Sequence, residues 1–121
     1  MGNNQMGQLG LGTMGDRSAR CGSPCLVETL KQQKAVAVSC GKDFTLAITY
    51  PTDTAEEDPQ SQVHAWGSNK HGQLGIPDLE GSSVPLKVDS FDILDEDVTS
   101  ISCGSAHSLF LTSDLDVISC G

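Results

Sequence analysis

Gly67-Ser68-Asn69-Lys70-His71-Gly72-Gln73-Leu74-Gly75 has a near copy at the start of the 121-residue chain, Gly2-Asn3-Asn4-Gln5-Met6-Gly7-Gln8-Leu9-Gly10. The glycines, the second Asn and the Gln-Leu pair fall in register, at an offset of 65 residues between Gly2 and Gly67. A second pair of segments has almost the same offset, 63: Ala37-Val38-Ser39-Cys40-Gly41 answers to Ser100-Ile101-Ser102-Cys103-Gly104. Each runs on into an apolar stretch that ends in Thr, Phe44 to Thr49 and His107 to Thr112. Val63-His64-Ala65-Trp66-Gly67 and Val117-Ile118-Ser119-Cys120-Gly121 are a third pair, at an offset of only 54. The shorter offset implies an insertion in the first unit, placed at Thr52 to Gln60. Fixed-offset glycines at this period are the signature of repeat architectures.

The first repeat therefore spans about 2–66, with the insertion at 52–60, and the second about 67–121. Short apolar runs separated by glycine turns predict small antiparallel sheets. Strands are expected at Pro24–Val27, Ala35–Cys40, Phe44–Thr49 and Val63–Trp66, then at Pro85–Val88, Val98–Ser102, His107–Thr112 and Asp116–Cys120. Gly41-Lys42-Asp43 fits a hairpin turn. Leu30 to Lys34 could make one helical turn, and Ile76–Val84 and the acidic Asp89–Asp97 read as loops. The fold class is all-β, a partial β-propeller of about two four-stranded antiparallel blades. Closed propellers need roughly four to eight blades. The chain is accordingly read as part of a longer protein, or as one member of an assembly that supplies the missing blades.

Sixteen acidic residues against seven basic ones give a formal charge of −9. Such a balance disfavours a nucleic-acid backbone as a direct partner and is compatible with a basic surface on a protein. No run reaches the length of a membrane span and no basic and apolar leader precedes the first repeat, so the cytoplasm or nucleus is expected. Five cysteines show no secreted framework. The spacing of Cys21 and Cys25 falls within that of a metal knuckle, but no second Cys or His pair completes one, and ordinary loop thiols are the reading preferred over zinc or a disulfide. Cys40 and Cys103 are expected as buried reduced thiols.

The first glycine-rich loop superficially suggests phosphate binding, but no Lys-Ser or Lys-Thr follows it. Trp66 is expected to pack between adjacent sheets, and its counterpart Cys120 leaves less volume there. Gly41 and Gly104 mark places where a side chain would clash or a left-handed turn is needed. Gly67, Gly72 and Gly75 serve turns and close strand approach. Asn69 and Gln73 tie loop backbone groups together. His107, which answers to Phe44, is structural. Ser105 and Ser108 lie near His107, but His64, His71 and His107 join no nucleophile and carboxylate in the sequence, so no catalytic residue, metal or cofactor is expected.

Gly67-Ser68-Asn69, Gly72-Gln73-Leu74-Gly75, Val63 to Trp66 and the Ser102–Leu109 segment together resemble the repeats of the regulator of chromosome condensation family. The resemblance implies a seven-bladed propeller whose founding member is a chromatin-bound guanine nucleotide exchange factor for the small GTPase Ran. Similar propellers serve as interaction domains attached to ubiquitin-ligase domains, kinases or trafficking proteins. The expected function is a protein-interaction module without catalytic chemistry of its own and with Thr52–Gln60 as its most distinctive contact. A nucleotide exchange factor for a Ran-like GTPase and purely structural blades tethering another domain are the alternatives. The partner is thus a protein, basic or a small GTPase.

Overall fold

A computed structural model describes residues 1–14 and 20–121. Gly15 and the polar stretch from Asp16 to Ala19, read as loop in the sequence, lie outside the described residues.

Three antiparallel sheets follow one another along the chain. The first is a two-stranded pair, β1 (Gly2–Asn3) with β2 (Arg20–Cys21). The second has four strands in sequential order: β3 (Gln33–Cys40), β4 (Phe44–Pro51), β5 (Gln62–Gly67) and β6 (Ser82–Lys87). The third contains β7 (Val98–Cys103), β8 (Ser108–Thr112) and β9 (Val117–Cys120). Each glycine-rich segment lies between two paired strands of one sheet, β1 and β2 in the first and β5 and β6 in the second. The pairing Gly2↔Cys21 in the first sheet is accordingly the counterpart of Gly67↔Ser82 in the second. The arrangement is an arc of a propeller, not a closed ring.

Hydrophobic burial sets the order of the sheets. β4 carries Phe44, Leu46, Ala47 and Ile48, all buried, and is covered on both faces. The third sheet packs β7 against β3 and β4, so Val98 and Phe110 join Phe44, Leu46, Ile48, Val63 and Leu74 in one core. The repeat itself shows what a neighbouring sheet does. Leu46 and Val63 are 0% and 1% exposed, whereas their counterparts Leu109 and Val117 are 40% and 67% exposed. On the opposite flank Val36 and Val38 are likewise exposed.

Five expectations need correction. Pro24–Val27 is not a strand; the outer strand of the first sheet is Arg20–Cys21. In the second sheet the equivalent residues Leu86 and Lys87 do pair, with Ala65 and His64, whereas β2 ends at Cys21. The helical turn lies at Glu28–Leu30, earlier than Leu30–Lys34, and β3 begins at Gln33. The region Ile76–Val84 is loop only as far as Gly81, since β6 starts at Ser82. Cys40 is exposed, with no sheet among the described residues covering its face of β3, while Cys103 is partly buried against the second sheet.

The acidic Asp89–Asp97 stretch is also not all loop: α1 (Ser90–Ile93) forms within it. Its Phe91 is buried and its ring lies 4.8 Å from that of Phe110. One aromatic side chain thereby anchors an otherwise charged connection to the core.

His64, buried on β5, faces Thr49, with Oγ1 at 3.2 Å from Nδ1. Burial, and secondarily the charge of Lys87, pushes its pKa below the ordinary 6.5. The unfolded chain thus binds the proton more readily. Stability tied to His64 should be fully present above about pH 6.5 and decline as the pH falls below it. Denaturant midpoints measured from about pH 7 down to about pH 5 should fall, and His64→Ile, which installs the residue found at the equivalent position 118, should flatten that part of the profile. An unchanged profile in the variant would assign the acid sensitivity to other groups.

Candidate protein-interaction site

The two glycine-rich loops are built alike, atom for atom. Asn69 is wholly buried, donates from Nδ2 to the Asp78 carbonyl at 2.6 Å and accepts the Leu74 N–H on Oδ1 at 2.9 Å. Asn4 donates to the Thr13 carbonyl at 2.8 Å and accepts from Leu9 N–H at 3.0 Å. Gln73 Oε1 accepts the His71 N–H, and Gln8 Oε1 the Met6 N–H, both at 2.9 Å. Gly72 and Gly75 have positive φ, as do Gly7 and Gly10. These contacts satisfy backbone groups that a loop this tight would otherwise leave unpaired.

Each loop is then held to the next sheet through one main-chain carbonyl. Gln8 O accepts from Thr45 Oγ1 and from the Trp66 indole N–H, both at 2.9 Å. Gln73 O accepts from Ser108 Oγ at 2.6 Å and from Cys120 Sγ at 3.6 Å. Trp66 lies against Gly10, and Cys120, at the equivalent position, borders a cavity of about 200 Å³ lined by Gly75, Val88, Phe91 and Ile118.

Gly41 and Gly104 lie under aromatic rings. A Cβ at Gly41 would come within 2.0 Å of the Phe44 ring, and one at Gly104 within 2.0 Å of the His107 ring. The need is for close approach, with no left-handed backbone at either glycine. Phe44 is buried whereas His107, its counterpart, is exposed, and Gly104 N–H donates to the His107 carbonyl at 2.9 Å.

The antiparallel register sorts the connections to two ends. Turns 41–43 and 104–107 share one end with the glycine-rich loops, joined by Ser68 N–H to Asp43 O and Lys42 N–H to Ser105 O. There Lys42, Lys70 and His71 border a small polar depression with Asp43, Ser68 and Gln73. The other end gathers the β4–β5, β6–β7 and β8–β9 connections. Gln60 Nε2 donates to Asp95 Oδ1 at 3.2 Å, Ser61 donates to Asp97 Oδ1 and Ser113 N–H to Asp97 O. Eleven of the sixteen acidic residues fall in these three connections: Asp53, Glu56, Glu57 and Asp58; Asp89, Asp92, Asp95, Glu96 and Asp97; Asp114 and Asp116. The net negative charge is therefore concentrated on one rim, a segregation that the strand order creates and the linear sequence does not display.

The thiols of Cys21 and Cys25 lie 2.9 Å apart. Among the described residues no group of three or more His, Cys, Asp or Glu side chains is gathered as for a metal, and no helix is long and apolar enough to cross a membrane.

Sheets of this size, stacked in chain order through a repeated loop, define an arc of a β-propeller. The sequence matches the regulator of chromosome condensation (RCC1) repeat over residues 1–48 and 60–111, and the chain belongs to that family. The unmatched residues enclose most of the Thr52–Gln60 insertion. The chain is 39% identical, over 99% of its length, to serine/threonine-protein kinase Nek9 of Xenopus laevis, of which it covers 11%. It is 35% identical, again over 99% of its length, to the probable E3 ubiquitin-protein ligase HERC4 of Homo sapiens, of which it covers 10%. It thus spans about a tenth of the length of these curated relatives. The structure of Prp20p from Saccharomyces cerevisiae, described together with its binding properties to Gsp1p and histones, superposes with a TM-score of 0.76 at 28% identity, over 98% of this chain and 26% of that one. The RCC1-repeat module mediates protein interactions.

These comparisons correct the expectation of a module with no catalytic role. The chain shares its fold and 28% of its residues with Prp20p, a protein characterised by its binding to Gsp1p, and the family resemblance ties such propellers to nucleotide exchange. The physical reason lies in the kind of catalysis. Exchange needs no nucleophile, metal or general base. It requires a surface that binds the nucleotide-free state more tightly than the loaded one. Three histidines without a nucleophile therefore say nothing against it.

Proposed function

We propose that this chain supplies two blades of an RCC1-type propeller that, as a whole, promotes guanine-nucleotide release from a Ran-like small GTPase in the nucleus or cytoplasm. The observation that carries the reading is the likeness to Prp20p over 98% of the chain, at 28% identity, together with that protein's binding to Gsp1p. The test is release of a fluorescent guanine nucleotide from Gsp1p and from a panel of other small GTPases in the presence of the full-length protein. Acceleration of more than about tenfold, roughly 1.4 kcal/mol of barrier, is the expected result. Uncatalysed rates across the panel would end the proposal.

The acidic rim favours a second, compatible contact with a basic protein surface. Prp20p is described with histones as well as with Gsp1p, and eleven carboxylates on one rim suit a partner of that charge. Binding to purified histones should weaken steeply as salt is added, and deletion of residues 52–60 from the full-length protein should reduce both affinity and salt dependence. Equal binding with and without that segment would remove it from the contact.

A further inference from the structure

The geometry points to Cys21 and Cys25 as a redox-active dithiol on the outer edge of the first sheet, which a small-molecule disulfide converts to an intramolecular disulfide. The sequence places three residues, Gly22-Ser23-Pro24, between the two cysteines. The chain folds back over those residues, and both thiols converge on the same acceptor, the Ser23 carbonyl, at 3.0 Å from Cys21 Sγ and 3.5 Å from Cys25 Sγ. The two sulfurs are 2.9 Å from each other. A disulfide needs about 2.05 Å, so closure asks for a movement of under about 1 Å in a segment with room to move. A Cβ added at Gly22 would meet nothing within 4 Å, and Cys25 is exposed.

The two thiols are not equivalent. The hydrogen bond from Cys25 lowers the pKa of Cys21 below the ordinary thiol value, and the same contact with Cys21 raises that of Cys25. Cys21 is thus the attacking sulfur, since the thiolate is the nucleophile. Its thiolate attacks one sulfur of glutathione disulfide, forming a mixed disulfide and expelling one glutathione thiolate. Cys25, giving up its proton, attacks Cys21 Sγ and expels the second. Two protein thiols are oxidised, one glutathione disulfide is reduced, and the two protons pass to the departing glutathione thiolates. Cys103 and Cys120, whose thiol pKa values are raised chiefly by burial, are poor competitors.

Closure would staple β2, where Cys21 pairs with Gly2, to the segment in which Cys25 and Val27 border a groove shared with Cys40 and Trp66. Redox state would then set the rigidity of one wall of that groove.

The test uses the full-length protein equilibrated in glutathione redox buffers, alkylated and digested with trypsin. Cleavage after Arg20 and Lys31 isolates both cysteines on the peptide 21–31. The expected oxidised product is this peptide lighter by two hydrogens and refractory to alkylation. Cys25→Ser should trap glutathione on Cys21, and Cys25→Ala, which removes the donor, should slow alkylation of reduced Cys21 several-fold. Stable glutathione adducts on both cysteines of the unaltered protein, a linkage of either to Cys40, or a Cys21 alkylation rate unaffected by Cys25→Ala would each overturn the proposal. Disulfide mapping on the unaltered protein requires no variant, so the result does not depend on how a substitution folds.

Discussion

Replacing Gly67 with alanine should unfold or severely destabilise the second sheet. Gly67 ends β5 with φ at +103°, and a Cβ there would lie 2.5 Å from the Asp43 carbonyl oxygen and 2.6 Å from Phe44 Cα. Neither obstacle is a side chain that can swing aside. The backbone conformation costs a non-glycine residue about 1–3 kcal/mol, and forcing the β3–β4 turn away from β5 adds about 1–3 kcal/mol. A total of about 2–6 kcal/mol is comparable with the whole stability of a small domain, about 5–15 kcal/mol. Chemical denaturation of the full-length protein, read by the fluorescence of a tryptophan in this segment, measures it. A loss below about 1 kcal/mol would mean that the turn can retreat.

Trp66→Ala should cost about 3–5 kcal/mol, the range for deleting a buried aromatic side chain. Trp66 is 4% exposed, lies against Gly10, and donates its indole N–H to Gln8 O. The substitution removes packing volume and one of the two donors to that carbonyl, leaving Thr45 Oγ1 as the other. The first glycine-rich loop should therefore loosen more than the second, visible as faster amide exchange at Leu9 and Gly10 than at Leu74 and Gly75. Uniform acceleration across both loops would show that Trp66 supports the core in general and does not clamp its own loop.

The repeat carried most of the legible information. The paired Asn-x-x-Gly-Gln-Leu-Gly segments located both loops, and the alternation around Gly41 and Gly104 located the hairpins, because these elements depend on local backbone chemistry. Pro24–Val27 misleads for the opposite reason: strand formation depends on a partner strand, which a local sequence pattern does not specify. Phe91 was hidden because burial of one aromatic residue in an acidic stretch is decided by Phe110, nineteen positions away and on another element. The thiol pair was legible as a spacing but not as a contact. The acidic rim was not legible at all as a surface, since it arises from three connections brought to one end by the order of the strands. The absence of catalytic motifs carries no weight against exchange, because catalysis of exchange is a property of a binding surface and leaves no motif of nucleophile and base.

The loop anchors at Gln8 O and Gln73 O have a consequence for how such a chain can vary. In both cases the acceptor belongs to the main chain, which substitution cannot delete, while the donor may be an indole, a thiol or either hydroxyl: Trp66 and Thr45 in one copy, Cys120 and Ser108 in the other. Side chains can drift at the donor positions, one at a time, without the joint losing its fixed point. Copies of the unit can thereby diverge toward different surfaces while keeping the same seating on their neighbours, which is the latitude a family needs if one scaffold is to meet many partners.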